Sequence, residues 1–309
     1  MVLRLDTDNS ETQKSDAIVT DASNIVFASS SGHCSLDCSY CIIEPIAKRE
    51  LSLDYSDFTY LLDQLSGKTI FMLSGKGDFF AGYRKNDKLL ARLLDHDVEV
   101  ALDINGVMIH EFPELDNAKL KKIRRVNLTL HYLQLLNKRS LKVWKKNALI
   151  LLDRKGHDNF MIGTILSPPE MHLWEESLEY YKHNVYDVVG QPIVMIRDIK
   201  IAYDQNSESK LAELAKTYAP MIAEVRQEDY SAVFKGRENV LCPAGKAYFR
   251  IWNNGSVQGC PFMSELKEMG NLKERSFQRR SELFCCSDPN YCDCFTIAKF
   301  KKMEFPGSA

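Results

Sequence analysis

Apolar and polar positions along this chain switch repeatedly between a strand-like and a helix-like pattern. NIVFASS (24–30) reads as a strand, and DYSDFTYLLDQLS after it carries apolar residues at helical spacing. TIFMLSG (69–75) is continuously apolar and ends in glycine, as a buried strand does. NDKLLARLLDHD is helical again, and VEVALDING follows it. KLKKIRR leads into VNLTLHY, LKVWKKNALILLDRKG into NFMIGTILS, and EMHLWEESLEYYKHN into VYDVVGQPIVM. Strand and helix alternate about six times between 24 and 200. That order predicts an α/β fold, with a parallel sheet closed or curled by crossover helices. In such an architecture the loops after the strands carry the chemistry.

The pattern divides the chain into four segments. Residues 1–23 are a polar lead-in, 24–202 the alternating core, and 203–236 a polar connector read as helical (SKLAELAKTYAPMIAEV). Residues 237–309 are short segments punctuated by cysteine and glycine, with a hairpin expected where KAYFRIW turns through NNG into SVQGC.

Composition narrows the function classes. The 309 residues carry a formal net charge of -2, which is no footprint for a nucleic-acid binder. The basic runs KLKKIRR and NKRSLKVWKK alternate with apolar residues and read as solvated helix faces. No apolar run reaches the length of a membrane span, and MVLRLDTDNSETQKSD lacks the apolar core of a secretory signal. A cytoplasmic location is therefore expected. Nine cysteines, an odd number, then suggest metal ligation rather than a set of disulfides.

Three of these cysteines, Cys34, Cys38 and Cys41, fall within eight positions directly after the first strand. Thiolates at such spacing on one loop converge on a single metal centre. A closed zinc site takes four ligands, and His33 as the fourth is awkwardly adjacent to Cys34. The alternatives are a zinc loop or an iron–sulfur cluster with one iron left open.

Cys34-x3-Cys38-x2-Cys41, with Tyr40 before the last cysteine, resembles the mark of the radical S-adenosylmethionine (radical SAM) superfamily. Three further segments follow in the order that family shows: Gly75, Gly77 and Asp78 in FMLSGKGD, Asn105 and Gly106 in LDING, and Thr129 and His131 in NLTLHY. Lys76 interrupts the family's glycine pair, and Asp78 stands where it has glutamate. The resemblance implies a partial (β/α)6 TIM-like barrel with SAM contacts at Tyr40, Gly75, Gly77, Asp78, Asn105, Thr129 and His131. It also implies a [4Fe–4S] cluster whose open iron chelates SAM. An external one-electron reductant such as flavodoxin or ferredoxin would drive its cleavage to a 5′-deoxyadenosyl radical, which abstracts a hydrogen atom from substrate.

The other six cysteines lie in the last quarter. Cys242-x12-Gly255-x4-Cys260, then MGNL, resembles the opening of the SPASM/Twitch auxiliary-cluster extension; Cys285, Cys286, Cys292 and Cys294 form a compressed version of its downstream set. The resemblance implies at least one auxiliary [4Fe–4S] cluster on Cys242, Cys260 and two of the last four. A zinc module remains the alternative use of these six thiols.

The implied reaction is an oxidoreductase-like, dehydrogenase-like oxidation, an epimerisation or a rearrangement. Only about 23 polar residues precede the first strand, too few for the leader-recognition domain of peptide-modifying members, so the expectation is a small-molecule substrate: a sugar, nucleotide sugar or antibiotic precursor. A peptide-modifying maturase is the alternative within the enzyme class. A zinc-stabilised binding or regulatory protein is the alternative outside it. Arg197, at the end of PIVMIRD, is a candidate fork for an anionic substrate group, weighed against a surface ion pair.

Overall fold

The structure, a computed structural model, describes residues 24–29, 33–41, 52–74, 77–83, 87–198, 201–226, 240–242, 244–260 and 266–286. The expected alternation is present. Strand β1 (Asn24–Ala28) is followed by helix α1 (Tyr55–Gln64), β2 (Thr69–Leu73), α2 (Leu89–Leu93), β3 (Val98–Ile104), α3 (Asn117–Lys122) and β4 (Ile123–Leu130). Then come α4 (Tyr132–Asn137), α5 (Leu141–Lys155), β5 (Phe160–Leu166), α6 (Trp174–Tyr181), α7 (Asp187–Val189) and β6 (Ile193–Arg197). These six strands pair in parallel in chain order, and the sheet curves into a partial barrel with the helices outside.

The helix starts follow from local chemistry. Asp54 caps α1 in a capping box, its side chain accepting from the Asp57 amide while Asp57 accepts from the Asp54 amide. Phe58 and Leu61 on the buried stripe of α1 then pack on the sheet.

Alternation along the strands separates two faces. Val26, Ala28, Phe71, Leu73, Val100, Leu102, Val126, Leu128 and Leu130 join the large core beneath the helices. Ile25, Phe27, Ile70, Met72 and Ala101 form a smaller cluster on the opposite, concave face. Continuing the same period puts Asp103, Arg125, Asn127 and Thr129 on the concave face too.

Two features extend the sheet beyond the predicted core. The connector is not helical throughout: α8 (Gln205–Thr217) ends before Pro220, and β7 (Ile222–Arg226) pairs in parallel with β6. Proline lacks the amide a helix would need and biases the residue before it away from helical backbone. At the other edge the predicted hairpin forms. It follows β8 (Val240–Cys242), and its own strands are β9 (Tyr248–Ile251) and β10 (Val257–Gln258). β9 pairs in parallel with β1, so the sheet runs β10-β9-β1-β2-β3-β4-β5-β6-β7. β8 forms a separate antiparallel pair with β11 (Phe284–Cys286).

The segment after the hairpin is tied back to α1. Asp57, almost fully buried, receives Lys273 Nζ at 3.3 Å and Arg275 Nη1 at 3.2 Å, and Tyr60 donates to the Arg275 carbonyl at 2.7 Å. Among the described residues no helix is long and apolar enough to cross a membrane.

Candidate functional site

Cys34, Cys38 and Cys41 sit half-buried on the loop that leaves the C-terminal end of β1, none of them in a disulfide. The loop is fastened to the ends of four neighbouring strands. The Asp78 amide, beyond β2, donates to the His33 carbonyl at 2.7 Å. Asn105, just past β3, donates from Nδ2 to Ser35 Oγ at 3.0 Å and to Cys34 Sγ at 3.5 Å. His131, just past β4, stacks on Tyr40 with ring centroids 5.7 Å apart. Its Nδ1 lies 2.9 Å from the Tyr40 hydroxyl and 3.5 Å from Cys38 Sγ. Ser39 donates to Glu170 Oε1 at 3.0 Å, just beyond β5. Leu36 and Tyr40, both buried, anchor the loop between these contacts.

Burial shifts several protonation equilibria around the loop. Burial raises the Cys34 thiol and pushes Cys38 up to about 12, with charge on the neighbouring cysteines raising both further. Burial pushes the His131 imidazolium down to about 4, so His131 is neutral at pH 7. Burial raises the Tyr40 phenol and the Glu170 carboxyl as well. A cationic centre reverses this for coordinated thiols, because it stabilises the thiolate directly.

Asp78 is buried and tied to two backbone amides. It is 3% exposed; Oδ2 accepts the Asn105 amide at 2.7 Å and Oδ1 the Phe80 amide at 3.1 Å. It therefore locks the loop after β2 to the turn after β3. Burial pushes its carboxyl up to about 6 despite these hydrogen bonds. Gly77, at φ 93°, and Gly106, at φ 77°, take backbone that side chains resist. A Cβ on Gly106 would also collide with Leu128 Cδ1 and crowd the Trp144 ring.

Thr129 lies on the concave face, half-buried, and its carbonyl accepts Trp144 Nε1 at 3.2 Å. Gly75, Cys292 and Cys294 lie outside the described residues. Cys260 is buried at the end of the hairpin. In the β8–β11 pair, Cys242 stands opposite Phe284, Cys285 opposite Leu241 and Cys286 opposite Val240.

Arg197 does not offer a free fork. Ile193 and Met195 point to the helix side, and Arg197 shares their parity, so its guanidinium meets α8. Nη1 and Nη2 bind Glu208 Oε1 and Oε2 at 2.5 and 2.8 Å. The ion-pair reading of this residue is the one the structure holds, with Glu208 as partner.

Sequence reasoning passed over Glu170, Ser167 and Asp198. Ser167 and Asp198, both buried, share a 2.7 Å hydrogen bond at the ends of β5 and β6. The available signal was LSPPE, a serine and two prolines directly after an apolar strand, which marks a strand-end loop.

Three thiolates are one fewer than a closed zinc site takes, and as a donor set they would suit an iron–sulfur cube with one iron left open. Four sulfurs on one zinc sit about 3.8 Å apart at Zn–S distances near 2.3 Å. Among the described residues no three His, Cys, Asp or Glu side chains gather closely enough for one ion. A cube takes each thiolate on a separate iron and so needs them further apart.

No family model matches the chain, and no curated protein matches it. Among solved structures, it is similar to one described as native anSMEcpe with bound AdoMet and Cp18Cys peptide. That match has 14% identity, covers 82% of this chain and 78% of that one, and has a TM-score of 0.50. SuiB from Streptococcus suis matches at 14% identity over 81% of this chain and 63% of that one, with a TM-score of 0.46. At 14% identity the first likeness is one of fold alone: a parallel α/β partial barrel.

Proposed function

We propose that this chain is a radical SAM enzyme and that its substrate is a peptide. The carrying observation is the loop of Cys34, Cys38 and Cys41, held by the ends of β2, β3, β4 and β5 on the C-terminal side of a parallel partial barrel. Each of the three cysteines would hold one iron of a [4Fe–4S] cluster and leave the fourth for SAM. When bound, the pair supplies one-electron cleavage of the SAM sulfonium and a carbon radical able to take hydrogen from substrate.

The residues around the loop position and shield this chemistry. Asn105 and Leu36 donate toward the Cys34 sulfur. Tyr40 and neutral His131 wall the Cys38 side against water. The backbone at Gly77 and Asn105, fixed by Asp78, and the Thr129 side chain would line the SAM position. The β8–β11 pair, which carries Cys242, Cys285 and Cys286 on adjacent strands, supports one auxiliary [4Fe–4S] cluster drawn from these, Cys260, Cys292 and Cys294.

The peptide reading replaces the small-molecule expectation. That expectation rested on the segment before β1, whereas the anSMEcpe structure, alike in fold over most of both chains, has a peptide bound. Anaerobic reconstitution tests the class. The expected result is about eight irons per chain and 5′-deoxyadenosine released from SAM on reduction. Stoichiometric zinc without SAM cleavage would sink it. A variant with Cys34, Cys38 and Cys41 all changed to alanine should keep about four irons; loss of all iron would overturn the two-cluster assignment.

A further inference from the structure

The concave face of the sheet carries a cation that nothing described neutralises. β9 lies beside β1 in the register Phe27↔Arg250, so Arg250 shares the face of Ile25 and Phe27. Its neighbours Phe249 and Ile251 belong to the core on the other side. The guanidinium carbon lies 5.3 Å from the Phe27 ring centroid and 5.8 Å from that of Trp252. Among the described residues no carboxylate or carbonyl reaches it, and its Nε is buried without a hydrogen-bond partner. Cation–π contact offsets only part of an arginine's desolvation. Arg197 and Arg275, by contrast, are ion-paired with Glu208 and Asp57.

A second orphan faces the same concavity. Asn127, 9% exposed, donates from Nδ2 to Asp103 Oδ1, its register partner on β3, while its own Oδ1 is buried without a donor. Arg250 and Asn127 are four strand spacings apart, an arc of roughly 19 Å that the curvature shortens. A planar fork that seeks two acceptor oxygens and a carbonyl that seeks an N–H are complementary to a carboxylate and an N–H set several residues apart on one extended peptide, at about 3.3–3.6 Å per residue.

We propose that Arg250 is the substrate anchor of this barrel and grips a carboxylate of the bound peptide, with Asn127 Oδ1 accepting an N–H from the same segment. The identity of the ligand as a peptide rests on the function proposed above; the anion site itself does not. The carboxylate belongs to either a chain terminus or an acidic side chain, and the probes separate the two.

The test titrates the full chain, purified without oxygen, with N-acetylglycine, with N-acetylaspartate α-methylamide and with inorganic phosphate. Calorimetry and tryptophan fluorescence report binding; Trp252 is half-buried beside Arg250, whereas Trp144 and Trp174 are buried elsewhere. Saturable binding of at least one carboxylate is expected, and the tighter of the two identifies terminus or side chain. Arg250→Met should weaken it by on the order of tenfold or more, and Arg197→Met should leave it as in the parent. If Arg250→Met does not fold, Arg250→Lys is read instead: it keeps the charge, loses the fork and should still bind carboxylate more weakly. Unchanged affinity in the Arg250 variant, or no saturable binding by any probe, overturns the anchor. Phosphate binding tighter than both carboxylates overturns its assignment to a carboxylate. SAM cleavage by the parent is measured in parallel. Arg250-dependent binding without cleavage refutes the radical reading and leaves the anchor standing; cleavage without such binding does the reverse.

Discussion

Asp78→Ala gives the sharpest test of how the site is held together. The Asp78 carboxylate accepts the amides of Asn105 and Phe80 in a buried setting. Truncation leaves both amides without acceptors, at about 1–3 kcal/mol each, or about 4 kcal/mol in all. At about 2 °C per kcal/mol for a chain of this size, the melting temperature should fall by about 8 °C. Asp78→Asn keeps one acceptor oxygen and should fall about half as far. Protonation supplies an independent check. Burial raises the carboxyl from 3.8 to about 6 on folding, so between those values the folded protein holds a proton that the unfolded chain has released. Raising the pH through this window therefore favours unfolding. The contribution is fully present below about pH 4 and is lost above about pH 6, a change of about 3 kcal/mol at 1.36 kcal/mol per unit. Denaturation of the parent and Asp78→Asn from pH 4 to 7 measures it, because the difference between the two curves removes every other titrating group. A flat difference curve, or a fall of less than about 2 °C in Asp78→Ala, would refute the account of Asp78 as the clamp between two strand ends.

Two further outcomes follow from the same geometry. Gly106→Ala forces a side chain into left-handed backbone and against Leu128 and Trp144, and should cost about 3 kcal/mol by chemical denaturation; a cost below about 1 kcal/mol would show that the turn relaxes freely. Tyr40→Phe keeps the stack on His131 and loses one hydrogen bond, so a loss of about 1 kcal/mol with full iron content is expected. Iron loss in that variant, read by absorbance and iron analysis, would mean that the hydroxyl helps hold the cluster loop in place.

The alternation that governs the fold is local, and the first six strands and their helices were accordingly readable as sequence. β7 was obscured because MIAEV follows a long helical pattern, and only Pro220 marks the break. Arg197 carries two readings in the sequence, and a parity count favours the ion pair: Ile193 and Met195 are apolar on the helix side, and the third residue of that series faces the same way. Arg250 shows the opposite limit. YFRIW reveals that Arg250 opposes Phe249 and Ile251, but which face is concave depends on the strand beside it, and that strand begins at Asn24. Asp78 sits one residue from a predicted glycine, yet its two amide partners, including one 27 positions away at Asn105, emerge only in three dimensions.

The seam between β1 and β9 bears on how the chain folds. It joins Ile25 to Tyr248, so the first strand made receives its outer neighbour only when most of the chain has been synthesised. Closing a loop of that length costs roughly 5 kcal/mol of chain entropy before any pairing rewards it. Until then β1 is an edge with unpaired amides and carbonyls, open to pairing with another chain. A fragment cut near residue 236 would keep that edge bare and lose the wall that carries Arg250. The last quarter of the sequence thus closes the barrel's first side: late arrival of β9 makes slow folding the expected behaviour of the whole chain, and a form without β9 keeps an aggregation-prone edge.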